Sequence, residues 1–190
     1  STQGYSSAAS DVYKRQDYDN FSPDITVEGS DSKLLPAYLS LIRLSDSAIQ
    51  NLVSYFEAQE EPTMIVFFGD HQPADSVVRP VWKLNGKDDA DLTDEEEALR
   101  YKVPFFIWAN FDIEAESDLE ISANYLAAKT LDAAGLPKSA YDNFLSQLRT
   151  EVPVISANHV TLSDGTFTTA SKQKDLLYDY QTLQYYLLFD

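Results

Sequence analysis

The chain has 190 residues, enough for one sizeable domain that could bury well over half of its unfolded surface. Its hydrophobic content of 44% and aromatic content of 13% are those of a globular rather than a disordered chain. A net charge of −17 argues against a nucleic-acid partner, which needs a basic face, but leaves open a small anionic substrate held through a metal ion.

Residues 1–33 are polar and without periodicity. Within them, Ser6 to Gln16 (SSAASDVYKRQ) reads as a non-native, linker-like tail, so residues 1–16 are set aside from the fold and 17–190 are taken as the domain. The chain opens on Ser1 with no signal peptide, and reads as a piece of a longer protein. No apolar run reaches the roughly 18 residues a membrane-spanning helix needs. With no cysteine, disulfides, thiol nucleophiles and zinc–thiolate sites are excluded together.

From Leu34 to Gln59 apolar residues recur at helical spacing, with Pro36 in the first turn and Glu60-Glu61-Pro62 ending the run. Met64–Phe68 is apolar on both faces and too short for a buried helix, so it reads as a central strand covered on both sides. Val103–Trp108 (VPFFIW) reads likewise, and the two are expected to be parallel neighbours or near-neighbours in one sheet. Between them Asp88–Glu97, dense in carboxylates, reads as a solvated loop leading into a short helix.

Ile121–Ala134 is a second amphipathic helix, stopped by Gly135-Leu136-Pro137, and it should pack with the first against the sheet. Ser139–Leu148 is a third helix, Val160–Thr168 a hairpin turning on Asp164-Gly165, and Lys172–Leu188 a closing helix rich in Tyr and Leu. The order of elements is that of an α/β fold.

Asp70-His71, with one of only two histidines, follows the strand Met64–Phe68. In α/β sheets ligands bind beyond the carboxyl ends of strands, and a preceding glycine, Gly69, lets the backbone turn sharply and approach a ligand. Carboxylate and imidazole both suit Mn²⁺ or Zn²⁺. The plainer alternative has Asp70 capping the next element and His71 packing or hydrogen-bonding nearby. The other histidine, His159, reads as a solvent-facing turn residue. There is no Gly-x-Ser-x-Gly elbow and no phosphate-cradling glycine loop.

Several stretches together resemble a known family: Tyr38–Asp46 (YLSLIRLSD), Pro62–Pro73 (PTMIVFFGDHQP), Val103–Asn110 (VPFFIWAN), and Ile121–Leu126 followed by Ala134–Pro137. Their order resembles the C-terminal half of the sulfatase-like catalytic domain of the alkaline phosphatase superfamily, most nearly the lipoteichoic acid synthase type of phosphoglycerol transferase. The resemblance implies a three-layer α/β/α domain, present here incompletely, with a C-terminal β-hairpin and helix. It implies that Asp70 and His71 are metal ligands, with manganese first and Mg²⁺, Zn²⁺ or Ca²⁺ as alternatives. The ion would polarise a phosphoryl oxygen and activate a threonine nucleophile.

By the same resemblance that threonine, a further Glu ligand and a substrate-binding Arg belong to the family's N-terminal half. No catalytic residue is therefore expected in this chain, which alone should be inactive; Thr2 and Thr63 are not promoted to nucleophile. A substrate histidine expected before Tyr18-Asp19-Asn20-Phe21 is missing. The substrate implied is a phospholipid or other anionic ester, and the location is the outer face of a bacterial membrane, reached through upstream segments. Sulfatase, phosphoethanolamine transferase and phosphodiesterase chemistry are alternatives, as is a noncatalytic α/β interaction domain. Missing partner strands should leave apolar edges and faces uncovered.

Overall fold

A computed structural model of the chain describes residues 21–156 and 159–189. The linker-like reading of residues 1–16 lies outside them. The first helix, α1 (Leu34–Glu57), follows the apolar spacing of the sequence. Next come β1 (Met64–Phe68), α2 (Asp75–Leu84), a 3₁₀ turn at Asp89–Asp91, the short α3 (Asp94–Ala98) and β2 (Phe105–Ala109). A 3₁₀ turn at Ala123–Tyr125 leads into α4 (Leu126–Ala133), then α5 (Ala140–Glu151). Three two-residue strands, β3 (Val154–Ile155), β4 (Val160–Thr161) and β5 (Phe167–Thr168), precede α6 (Lys174–Phe189). The fold is mixed α/β, with the expected hairpin and closing helix.

Local chemistry accounts for the helix starts. Thr93 caps α3 through the Glu96 N–H while the Glu96 side chain returns to the Thr93 N–H, and the acidic first turn faces the positive end of the helix dipole. Ser139 and Asp142 make the same reciprocal cap on α5. The helix α2 was not foreseen, because Pro80 lies inside it and removes the N–H that would bond four residues back.

β1 and β2 are neighbours in a two-stranded sheet. They run antiparallel, contrary to the expectation of a parallel pair. Gly69 N–H donates to the Pro104 carbonyl (3.0 Å) and Asn110 N–H to the Thr63 carbonyl (3.1 Å), so the end of each strand meets the start of the other. Apolar runs mark strands without encoding their direction. β1 is not covered on both sides among the described residues: Phe68 is 56% exposed. Nor are the helices' main partners the strands, since α1 packs chiefly on α2 and α4 on α5.

The chain divides into two compact units, the described residues to Glu61 with Phe67–Phe105, and Pro62–Val66 with the described residues from Phe106 on. The first buries little: Leu35, Ala37 and Ser40 on α1 and Val77 on α2. Ser40 Oγ accepts from the N–H groups of Asp24 (3.1 Å) and Ile25 (3.2 Å) and donates to the Pro36 carbonyl (2.8 Å). It thereby fixes the segment that approaches α1.

The second unit holds a contiguous core of Tyr125, Ala128, Leu145, Leu148, Val152, Val160, Leu177 and Tyr180. The Tyr125 hydroxyl donates to the Val152 carbonyl (2.8 Å), and burial pushes its ionisation well above the ordinary tyrosine value. β4 pairs antiparallel with both neighbours, Val160 opposite Ile155 on one side and Thr168 on the other. The β4–β5 turn uses Gly165 in the left-handed region (φ 84°), and Asp164 Oδ1 accepts from the Thr166 N–H (2.9 Å).

Candidate functional site

β1 delivers Gly69 and then Asp70-His71 at its carboxyl end. Gly69 does not take a left-handed conformation, so its expected role in a sharp turn is not the one it plays. A Cβ there would stand 3.0 Å from Val103 Cβ. The glycine lets the segment entering β2 press against the end of β1, which the Gly69 N–H to Pro104 bond then holds.

The two side chains that follow are ordered by their own backbone. Asp70 Oδ1 accepts from the His71 N–H (2.9 Å), which turns Oδ2 toward the imidazole. His71 Nδ1 lies 2.8 Å from the Gln72 carbonyl. A carbonyl can only accept, so in the neutral ring Nδ1 carries the proton and Nε2 presents its lone pair. That nitrogen stands 3.5 Å from Asp70 Oδ2.

Two acceptors facing each other at this distance repel unless something positive lies between them, either a proton on Nε2 or a cation. Donors sharing one ion through bonds of about 2.1 Å stand roughly 3.0–3.4 Å apart at octahedral to tetrahedral angles, close to the observed spacing. Metal-bound histidines almost always donate their other ring N–H to a carbonyl, carboxylate or water, the arrangement His71 shows. The side chains are 71% and 59% exposed, leaving a third partner free to approach. No group of three metal-ligating side chains occurs among the described residues. The pair fits two ligands of a cation site and does not complete one.

The supports of this loop were not legible in the sequence. Gln72 Nε2 donates to the Lys102 carbonyl. Arg100 donates to the Pro73 carbonyl (3.2 Å) and to Asp75 Oδ1 (2.7 Å), with its guanidinium carbon 5.8 Å from the centre of the Trp82 ring. These partners are 25 to 30 residues apart, and two of the acceptors are backbone carbonyls, so no side-chain spacing marks them.

His159 is not solvent-facing. It is half-buried in the β3–β4 connection, with its N–H on Ser156 Oγ (3.1 Å), its Nδ1 2.9 Å from the same oxygen, and its ring 4.5 Å from that of Phe167. The neighbouring Phe167, eight residues on across a hairpin, supplies the cover that a turn reading omits. Thr63 precedes β1, at the end opposite Asp70, as expected.

The family model for sulfatases matches residues 3–136, more than half of the chain. The chain belongs to the sulfatase family. A putative cyclic β-1,2-glucan modification protein of Rhizobium meliloti (strain 1021) is 23% identical over 176 residues, covering 87% of this sulfatase-family chain and 27% of the relative. The chain thus spans about a quarter of that relative's length. The Streptococcus pyogenes phosphoglycerol transferase GacH, solved with sn-glycerol-1-phosphate, is 18% identical with a TM-score of 0.49, over 73% of this chain and 33% of that one. Among the described residues no helix is long and apolar enough to cross a membrane.

Proposed function

We propose that this chain is the metal-strand portion of a phosphoglycerol transferase of the lipoteichoic acid synthase type, with Asp70 and His71 as two ligands of a divalent ion, Mn²⁺ foremost. One observation carries this reading: Asp70 Oδ2 and His71 Nε2 face each other at 3.5 Å while the Gln72 carbonyl holds the proton on Nδ1. Family membership supports it, since sulfatase-like enzymes typically depend on divalent metals, and the GDHQP and VPFFIWAN stretches favour the transferase branch.

When bound, the cation would supply a Lewis acid for an ester oxygen and for the hydroxyl nucleophile. The residues present here orient and charge-match it. Asp70 brings a negative charge, His71 a neutral nitrogen, and the Asp70 to His71 backbone bond keeps both on one side of the loop. Under this reading the threonine nucleophile, the Glu ligand and the substrate-binding Arg come from the domain's other half, and the substrate is a phospholipid or other anionic ester at an outer membrane surface. The glucan-modifying relative favours a second acceptor class, a glucan hydroxyl, within the same chemistry.

The test is a Mn²⁺ titration of the protein as its gene encodes it, comparing wild type with Asp70→Ala, His71→Ala and His159→Ala. Both site variants should lose binding and transfer, and His159→Ala should keep them. Binding lost in His159→Ala but retained in Asp70→Ala would reverse the assignment.

A further inference from the structure

The loop that carries the pair, Asp70 to Asp75, is held from outside by the segment just before β2. Three links do this: Gly69 N–H to the Pro104 carbonyl, Gln72 Nε2 to the Lys102 carbonyl, and the Arg100 fork across the Pro73 carbonyl and Asp75 Oδ1. The Gln72 carbonyl that fixes the His71 tautomer belongs to the peptide bond entering Pro73. Proline locks its own φ and confines the residue before it to extended conformations, so that peptide unit moves as a rigid plate. Gln72 anchors one side of the plate and Arg100 the other.

We propose that Arg100 is a positioning residue for the Asp70-His71 pair: by clamping Pro73 and Asp75 it keeps the Gln72 carbonyl against His71 Nδ1, and so keeps Nε2 presented beside Asp70. Three features suit Arg100 to this. Its planar fork reaches two acceptors at once, which a lysine ammonium cannot do with fixed geometry. Its place over Trp82 limits the swing of the guanidinium. Its side chain is 24% exposed against 59% for Arg79, the other arginine on Asp75, so it is less hydrated and more constrained.

The role in metal binding rests on the proposed function above; the role in fixing the tautomer does not, and the two separate experimentally. The chain has two histidines, so imidazole NMR resolves His71, with His159 as an internal control in the other unit. In the full 190-residue chain without metal, at a pH where the ring is neutral, His71 nitrogen shifts should report a single Nδ1–H form. Arg100→Ala should convert this to a mixture of tautomers, and Arg100→Lys should fall between. Added Mn²⁺ should broaden His71, and Arg100→Ala should raise the Mn²⁺ needed by about 10-fold or more, as losses of groups that orient a ligand do.

The proposal is overturned if Arg100→Ala, with circular dichroism and thermal unfolding as in wild type, leaves the His71 tautomer as in wild type. Should Arg100→Ala not fold, Arg100→Lys and Gln72→Met read the same quantity, and an unchanged tautomer in both overturns it equally. Mn²⁺ that fails to broaden His71 in wild type defeats the metal reading alone; the tautomer result then decides the role of Arg100.

Discussion

The two units solve the problem of holding shape in different ways. The second, built on α4, α5, β3–β5 and α6, buries a connected set of Tyr, Leu and Val side chains. The first, which carries Asp70 and His71, buries three apolar side chains and one serine, and leaves Ile42, Leu52, Tyr55 and Phe68 of α1 and β1 exposed. Its order comes from side chains bonded to backbone: Ser40 to Asp24 and Ile25, Gln72 to Lys102, Arg100 to Pro73. Apolar burial is strong and non-directional, whereas hydrogen bonds are individually modest but fix atoms in place. The candidate site lies where aim matters more than bulk.

The largest effect that sharpens this contrast should come from the packed unit. Leu177→Ala empties a site only 1% exposed in the middle of the core, and should cost about 2–5 kcal/mol in denaturant unfolding. If Leu177→Ala proves as mild as an exposed substitution such as Leu52→Ala on α1, the contrast between the units fails.

Alkaline pH should also act through the packed unit. Burial raises the ionisation of the Tyr125 and Tyr180 hydroxyls above the ordinary value of 10.0. A raised folded-state value means that the folded form holds the proton more tightly than the unfolded one. The associated stability is therefore complete below about pH 10 and lost as pH rises through the folded values. Phenolate absorbance should show these two hydroxyls ionising only with unfolding. Tyr125→Phe should weaken the alkaline loss, at a cost of about 1 kcal/mol at neutral pH for the orphaned Val152 carbonyl.

In the first unit, Ser40→Ala should cost about 1 kcal/mol, because it removes the buried hydroxyl that accepts from the Asp24 and Ile25 N–H groups. Val77→Ala on α2 removes apolar volume from the same unit; a Ser40→Ala effect far below that of Val77→Ala would show that burial, and not polar linkage, holds this region too.

The sequence disclosed the elements that carry strong periodicity or punctuation: α1 with Pro36 in its first turn and Pro62 beyond its end, β1 between Pro62 and Gly69, the Asp164-Gly165 hairpin. It hid α2, where Pro80 outweighs an otherwise helical pattern, and β3, whose two residues are too few for any period. It hid the antiparallel sense of β1 and β2, because direction is set by the path of the chain between strands. The Asp70-His71 pair was legible because its chemistry resides in side chains next to each other in the chain. The Gln72 carbonyl and the Arg100 clamp were not, since a backbone acceptor has no letter of its own and Arg100 meets Pro73 only after a 27-residue excursion.

The smallest effect concerns the second arginine on Asp75. Arg79 lies 3.5 Å from Asp75 Oδ2 and 2.8 Å from Asp89 Oδ2, so a count of ion pairs would rank it with Arg100. Yet the carboxylates that Arg79 bonds among the described residues are about half exposed, where water and salt screen the attraction and the ordering of long side chains opposes it. Arg100 bonds a backbone carbonyl as well, and so restrains the main chain itself. Arg79→Ala should shift stability by no more than about 0–1 kcal/mol, a shift that shrinks further in high salt, and should leave the His71 tautomer untouched. Thermal unfolding at low and high ionic strength checks the first part, and imidazole NMR the second. An Arg79→Ala chain in which His71 changes tautomer would mean that charge around Asp75, rather than the grip of Arg100 on the Pro73 carbonyl, sets the geometry of the pair.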